Sequence, residues 1–336
     1  MLTHAKWLWM LTVLALFVAS GASCPRRKEL SAPLQPAFTG PPTTADVMRQ
    51  VNGNSAGVLS LQTRGASLSV SGTRSLRAEL SVQQPRRLRL KADASLLGNV
   101  LDLGSNDDMF WMWTRQDNPP TVYFCRHDQF YTSAARQVLP VSPDWLISAL
   151  GIVKLDPVGQ HRGPVPAGPG RLELRSLIPT PEGPLTRVLI LDDTQGWVLE
   201  QHLYDAQQQL LASALSAEHR RDPQTGVTLA HQVEVRLPPT GMSFVLQVDR
   251  YEINTLNHQH WQLWQMPQTG DYPLADLASP QLRLPSLPAR AVAATPRQGQ
   301  LVFPPQSGAS DAQPPTPSPS RAARRRSRRI RDFFGR

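Results

Sequence analysis

The chain has 336 residues, two cysteines and a formal net charge of +9. Two cysteines exclude a disulfide-rich scaffold and a four-cysteine zinc site. The charge is local, because residues 321–336 hold eight arginines and one aspartate and leave a nearly neutral body. The body therefore lacks the basic face of a nucleic-acid-binding protein, and no specific nucleic acid is predicted as a partner.

The N-terminus has the pattern of an export signal. Lys6 precedes an apolar stretch at residues 7–18, which is too short to span a membrane, and small residues follow at 19–23. We therefore expect residues 1–23 to be a signal peptide.

Cys24 stands directly after the small residues, which is typical of a bacterial lipoprotein signal, so we expect this cysteine to be lipidated. The Pro-rich residues 24–42 would then be a tether next to the membrane. Two alternatives stay open. Cleavage near Ala22 or Ser23 would release a soluble exported protein, and Cys24 could instead form a disulfide with Cys125.

Residues 43–267 carry the regular patterns of a folded domain. A short helix is predicted from Thr44 to Val51, followed by strands at 58–62, 67–72 and 77–82.

Residues 86–128 then predict four strands in succession. Arg87, Arg89 and Lys91 alternate with Leu88 and Leu90, which predicts one wet face and one dry face. The segment MFWMW at 109–113 is apolar on both faces, so alternation alone does not decide which of its residues look inward.

The second half begins with the clearest helix, SPDWLISALG at 142–151. Ser142 fits the N-cap, Pro143 the first helical position and Gly151 the C-terminal stop. A Pro/Gly linker is predicted at 157–169. Further strands, separated by marked turns, are predicted at 172–177, 186–191, 197–204, 211–218, 229–237 and 243–251.

These elements predict a mainly β protein of the α+β class. We expect a single, strongly curved antiparallel sheet with short apolar helices packed against it.

The alternation of apolar and polar residues that predicts strands ends near residue 267. Residues 268–320 are rich in Pro, Ser, Ala and Gln and are predicted to be disordered. The Arg-rich tail at 321–336 could contact anionic lipid or another polyanion, or could simply be solvated.

Catalytic patterns are weak. Gly53-Asn54-Ser55-Ala56-Gly57 matches G-x-S-x-G, but the helix precedes and the strand follows, the reverse of a hydrolase elbow, so a turn is predicted there.

Other reactive side chains have simpler roles. His258 and His260 could share one side of an extended segment, yet a polar strand end is favoured over a metal site. Activation of Cys125 by the next two residues is doubtful, because neighbours in a strand point to opposite faces. No catalytic residue, metal or cofactor is predicted.

Residues 45–266 resemble the outer-membrane lipoprotein carrier and receptor superfamily of the LolA/LolB type. The resemblance rests on PRRLRLKA with LLGNVLDLGSNDDMFWMW (85–113), on PTVYFCRHDQF (120–130), and on residues 203–238. It implies an unclosed half-barrel with helices plugging the concave face over a hydrophobic cavity.

The resemblance also implies a function. Members bind the acyl chains of lipids or lipoproteins, so we expect a non-enzymatic, membrane-anchored protein of the cell envelope on the periplasmic face, or alternatively a soluble periplasmic one. Two other hypotheses remain: an envelope scaffold or regulatory protein that binds another protein through the same fold, and a hydrolase that uses Ser55. The expected cavity residues are Leu88, Leu90, Leu101, Leu103, Phe110, Trp111, Met112, Trp113, Phe124, Leu146, Ile147 and Leu150.

Overall fold

The computed structural model describes residues 35–70, 75–267 and 272–282. All of these residues belong to one compact unit. The signal peptide, Cys24, most of the Pro-rich tether and the Arg-rich tail lie outside the described residues. Their assignments therefore stay predictions.

Helix α1 runs over Thr44–Ala56 and is longer than predicted. It begins with a capping box, in which the Thr43 hydroxyl accepts from the Asp46 amide and the Asp46 carboxylate accepts from the Thr43 amide. The predicted turn at 53–57 is wrong, because most of these residues form the last helical turn. Tertiary contact explains the extension: the Asn54 side chain exchanges two hydrogen bonds, of 2.9 and 2.8 Å, with the backbone of Thr228.

The described strands form one sheet. They are β1 (Ser60–Val70), β2 (Leu76–Gln83), β3 (Arg87–Ala94), β4 (Gly98–Ser105), β5 (Met109–Thr114), β6 (Val122–Arg126), β7 (Gln160–Pro166), β8 (Arg171–Ile178), β9 (Leu185–Asp192), β10 (Val198–Tyr204), β11 (Leu210–Arg221), β12 (Thr228–Leu237), β13 (Met242–Val248), β14 (Glu252–Ile253) and β15 (Leu274–Asp276).

Two antiparallel meanders make this sheet. Strands β6 to β1 run in reverse chain order, β1 pairs with β13, and β13 to β7 complete the row. The short β14 also pairs with β1, and β15 adds a parallel strand beside β6. The sheet is curved and does not close into a barrel, so the predicted fold class is confirmed.

Two short helices, α2 (Ala135–Val138) and α3 (Pro143–Ala149), lie in the connection between β6 and β7. Ser142 is the N-cap of α3 as predicted, although its side chain makes no capping hydrogen bond. Gly151 has a φ of +91°, which suits its predicted place just past the helix.

Two predicted strands and one predicted linker differ from the structure. The predicted strands at 58–62 and 67–72 are one continuous β1, with a bulge between Thr63 and Ala66. The predicted linker at 157–169 contains the edge strand β7. At its Gly163 a Cβ would lie 2.5 Å from the Glu173 carbonyl oxygen, so only glycine permits this close approach.

Candidate functional site

The concave face of the sheet is apolar over most of its strands. Cross-strand register places Leu80, Leu90, Leu103 and Met112 side by side across β2 to β5. The same cluster of buried side chains continues through β1, β13, β12 and β11 to Leu203 on β10. One apolar layer thus extends over most of the sheet.

A cover segment, residues 130–155, lies on this face and carries α2 and α3. Trp145, Leu146, Ile147 and Leu150 are buried against the sheet. Phe130 meets Phe110 of β5 edge to face, with ring centroids 5.8 Å apart. Packing here is apolar on apolar, and the Trp145 indole nitrogen is buried without a hydrogen-bond partner.

Two ion pairs between the cover segment and the rest of the chain lie at its rim. Arg136 pairs with Glu182, and Asp144 lies 3.9 Å from Arg86. Both pairs are partly exposed, and pairs of this kind contribute about 0–1 kcal/mol.

The predicted cavity residues divide between two faces. Nine of them line the concave face or its cover: Leu88, Leu90, Leu101, Leu103, Phe110, Met112, Leu146, Ile147 and Leu150. Trp111, Trp113 and Phe124 lie on the opposite, convex face in a separate cluster. The structure thus shows which residues of MFWMW face inward, which alternation alone could not decide. It does not bring these three side chains to the concave face.

A strap, residues 258–266, covers the convex face at this point. Arg89 donates to the carbonyl oxygens of Leu263 (3.0 Å) and Gln265 (2.6 Å) and to the Asp102 carboxylate (2.5 Å). Its guanidinium carbon also lies 5.1 Å from the centre of the Trp111 ring. The predicted wet position of Arg89 is therefore wrong: the residue is 6% exposed.

A polar row interrupts the apolar concave face near β7. His161, Ser176 and Arg187 are consecutive cross-strand neighbours on β7, β8 and β9. The His161 Nδ1 is 2.8 Å from the Ser176 hydroxyl, and the Arg187 Nη2 donates to the Lys154 carbonyl oxygen over 3.1 Å. Gln201 on β10 lies diagonally beside Arg187. Sequence reasoning missed this row, although Arg187 inside an apolar strand was a visible signal.

A cleft of about 250 Å³ opens beside the C-terminal end of α1. Trp197 and His219 stack there with ring centroids 5.2 Å apart, and burial lowers the pKa of His219. None of the predicted cavity residues lines this cleft or a second one beside Phe38.

The weak catalytic patterns have structural roles. The buried Ser55 hydroxyl donates to the Val153 carbonyl oxygen over 2.6 Å, so it is not presented as a nucleophile. Burial raises the pKa of the Cys125 thiol, which disfavours the reactive thiolate.

His258 and His260 lie in a 3₁₀ helix, not in the expected extended segment. Within residues 35–70, 75–267 and 272–282, no three His, Cys, Asp or Glu side chains gather as metal ligands. No helix in the same part of the chain is long and apolar enough to cross a membrane.

Similar folds are known. No family model and no curated protein sequence matches the chain. A domain described as outer membrane lipoprotein-sorting, from Vibrio parahaemolyticus, aligns with a TM-score of 0.44 at 13% identity, covering 65% of this chain and 98% of that one.

Two further structures align with this chain. A DUF1329 family protein from Desulfovibrio piger gives a TM-score of 0.45 at 13% identity over 66% and 98% of the two chains. A LolA superfamily protein from Nitrosomonas europaea gives 0.40 at 7% over 65% and 97%.

Proposed function

We propose that this chain is a non-enzymatic cell-envelope protein that binds the acyl chains of lipids or lipoproteins on the concave face of its sheet. The observation that carries the proposal is the apolar layer on that face, closed by a short apolar segment instead of a second sheet. An acyl chain on this layer would make the same kind of apolar contacts that the cover segment makes there.

The energetics favour exchange. Each buried CH₂ is stabilised by about 0.8 kcal/mol relative to water, so a sixteen-carbon chain gains roughly 12 kcal/mol. The concave face is occupied by Leu146, Ile147 and Leu150 of the cover segment, so binding requires these side chains to move. The bound chain would then take over the apolar contacts that these side chains make with the sheet, and transfer needs no chemical step.

An exposed apolar hairpin tip fits a protein that meets a membrane. Leu96 and Leu97, between β3 and β4, are 97% and 59% exposed. Paired leucines at a turn lose little on entering the boundary of a bilayer and gain by leaving water. A lipidated Cys24 and the Arg-rich tail would add to this attachment at the periplasmic face of the envelope, where we propose that the protein acts.

A matched pair of methionines tests the binding face. Met112 and Met109 are both half-buried on β5, but Met112 packs against the concave cluster and Met109 lies three residues away on the other face. We expect Met112→Gln to weaken binding of a dansyl-labelled undecanoic acid about fivefold or more, because an unpartnered amide costs about 1–3 kcal/mol. Met109→Gln should bind like the unaltered chain. Equal effects of the two variants, or no binding at all, would contradict the proposal.

The second candidate is a scaffold or regulatory protein that binds another protein. The packed state of the concave face and the position of the mapped clefts beside α1 favour it. In that case a pull-down from envelope extracts should depend on residues 268–336, and the acyl probe should not bind.

A further inference from the structure

Arg187 is a buried cation without a matching anion. The residue is 8% exposed, and its hydrogen bond is made to a neutral acceptor, the Lys154 carbonyl oxygen. Its Nε is buried without a partner, and no carboxylate within the described ranges pairs with it. Burial lowers its pKa to about 10, which still leaves it charged at neutral pH.

Gln201 adds a second unsatisfied group beside it. This residue is 1% exposed, and both its Oε1 and its Nε2 lack a hydrogen-bond partner. Gln201 pairs with Leu189, and Arg187 pairs with Leu203, so the two polar side chains are diagonal neighbours on one face of β9 and β10.

Apolar surface adjoins this pair on both sides. Leu189 packs against α1 in one cluster, whereas Leu185 and Leu203 belong to the large concave cluster. Burying these polar groups costs free energy, because donors without a partner lose their hydrogen bonds to water and form none in return. A ligand with a charged end and an apolar tail would satisfy both parts of this surface.

We propose that Arg187 and Gln201 bind the anionic end of an acyl ligand, a carboxylate or a phosphodiester, while its chain lies on the concave face. The inference rests on the proposed function and adds the chemistry of the bound headgroup. The planar guanidinium offers paired donors that match carboxylate and phosphate oxygens, and the Gln201 amide supplies one more. Neutral acyl compounds would lack this interaction and leave the same groups unsatisfied.

Affinities of the full-length protein for palmitate, methyl palmitate and inorganic phosphate test the inference. The unaltered chain should bind palmitate at least tenfold more tightly than the methyl ester, since a hydrogen bond to a charged group is worth about one to two decades in affinity. Arg187→Met should remove this preference, so that palmitate and methyl palmitate bind equally well. Gln201→Leu should reduce the preference about fivefold, and Arg162→Met, on exposed Arg162 of β7, should keep it.

The possible failures are distinguishable. If palmitate and its methyl ester bind equally well to the unaltered chain, the inference is overturned while the proposed function stands. If neither binds, the proposed function itself fails. The inference would also be overturned if inorganic phosphate bound in an Arg187-dependent way and palmitate did not bind. The site would then bind a free anion and not an acyl ligand. Should Arg187→Met not fold, the expected fivefold reduction of the acid preference in Gln201→Leu decides the question.

Discussion

Removal of the Arg89 guanidinium should open the convex side of the sheet. In Arg89→Ala, Asp102 would remain as a buried carboxylate without its cation, and the strap would lose two hydrogen bonds. Breaking a buried ion pair from one side costs about 3–5 kcal/mol, because the remaining charge stays buried and uncompensated. We expect a loss of this size, an appreciable part of the stability of an ordinary domain.

Urea unfolding followed by tryptophan fluorescence measures this loss. Lys91→Ala is the matched control, because Lys91 lies on the same face of β3 but is only half-buried, and it should cost about 0.5 kcal/mol or less. The double variant Arg89→Met with Asp102→Leu should recover most of the stability, since apolar replacements leave no unpaired charge. A cost below about 1 kcal/mol for Arg89→Ala would refute the account of a buried, strap-holding ion pair.

Three further changes have defined outcomes. Gly104→Ala should lower the unfolding midpoint by several degrees in a thermal melt, because its Cβ would lie 2.1 Å from the buried Trp111 ring. Burial lowers the pKa of His231 below its ordinary 6.5, so the unfolded chain takes up a proton more readily and stability should fall as the pH drops below that value. His231→Gln should flatten this part of the pH–stability curve. Leu96→Ser with Leu97→Ser should weaken co-sedimentation with lipid vesicles and leave the unfolding midpoint unchanged, since both side chains are exposed; unaltered co-sedimentation would argue against a membrane contact at the hairpin tip.

Local sequence patterns predicted most strands of the sheet but not its edge strands or the strap that covers its convex face. Alternation and turn residues located β2, β3, β5, β6 and β8–β13 to within a few residues. They failed at the edge strand β7, whose Gly and Pro residues are typical of loops, and at the three-residue β15, which forms by pairing with β6.

The candidate site was predicted in part for a similar reason. Leu88 and Leu90 could be oriented because polar neighbours mark their strand. Trp111 and Trp113 could not, because their convex face is buried by a strap that is distant in sequence. Arg89 was predicted to be exposed for the same reason. The carbonyl oxygens that it contacts belong to residues that are distant in sequence.

The acyl-binding face can be located directly by photo-crosslinking. A palmitate that carries a diazirine near the middle of its chain would be bound to the full-length protein, irradiated, and mapped by peptide mass spectrometry. The account predicts crosslinks to concave residues of β3–β5, such as Leu90, Leu103 and Met112, and to residues 145–150 of the cover segment. Crosslinks confined to the strap and the convex tryptophans, or none above a competed control, would contradict it.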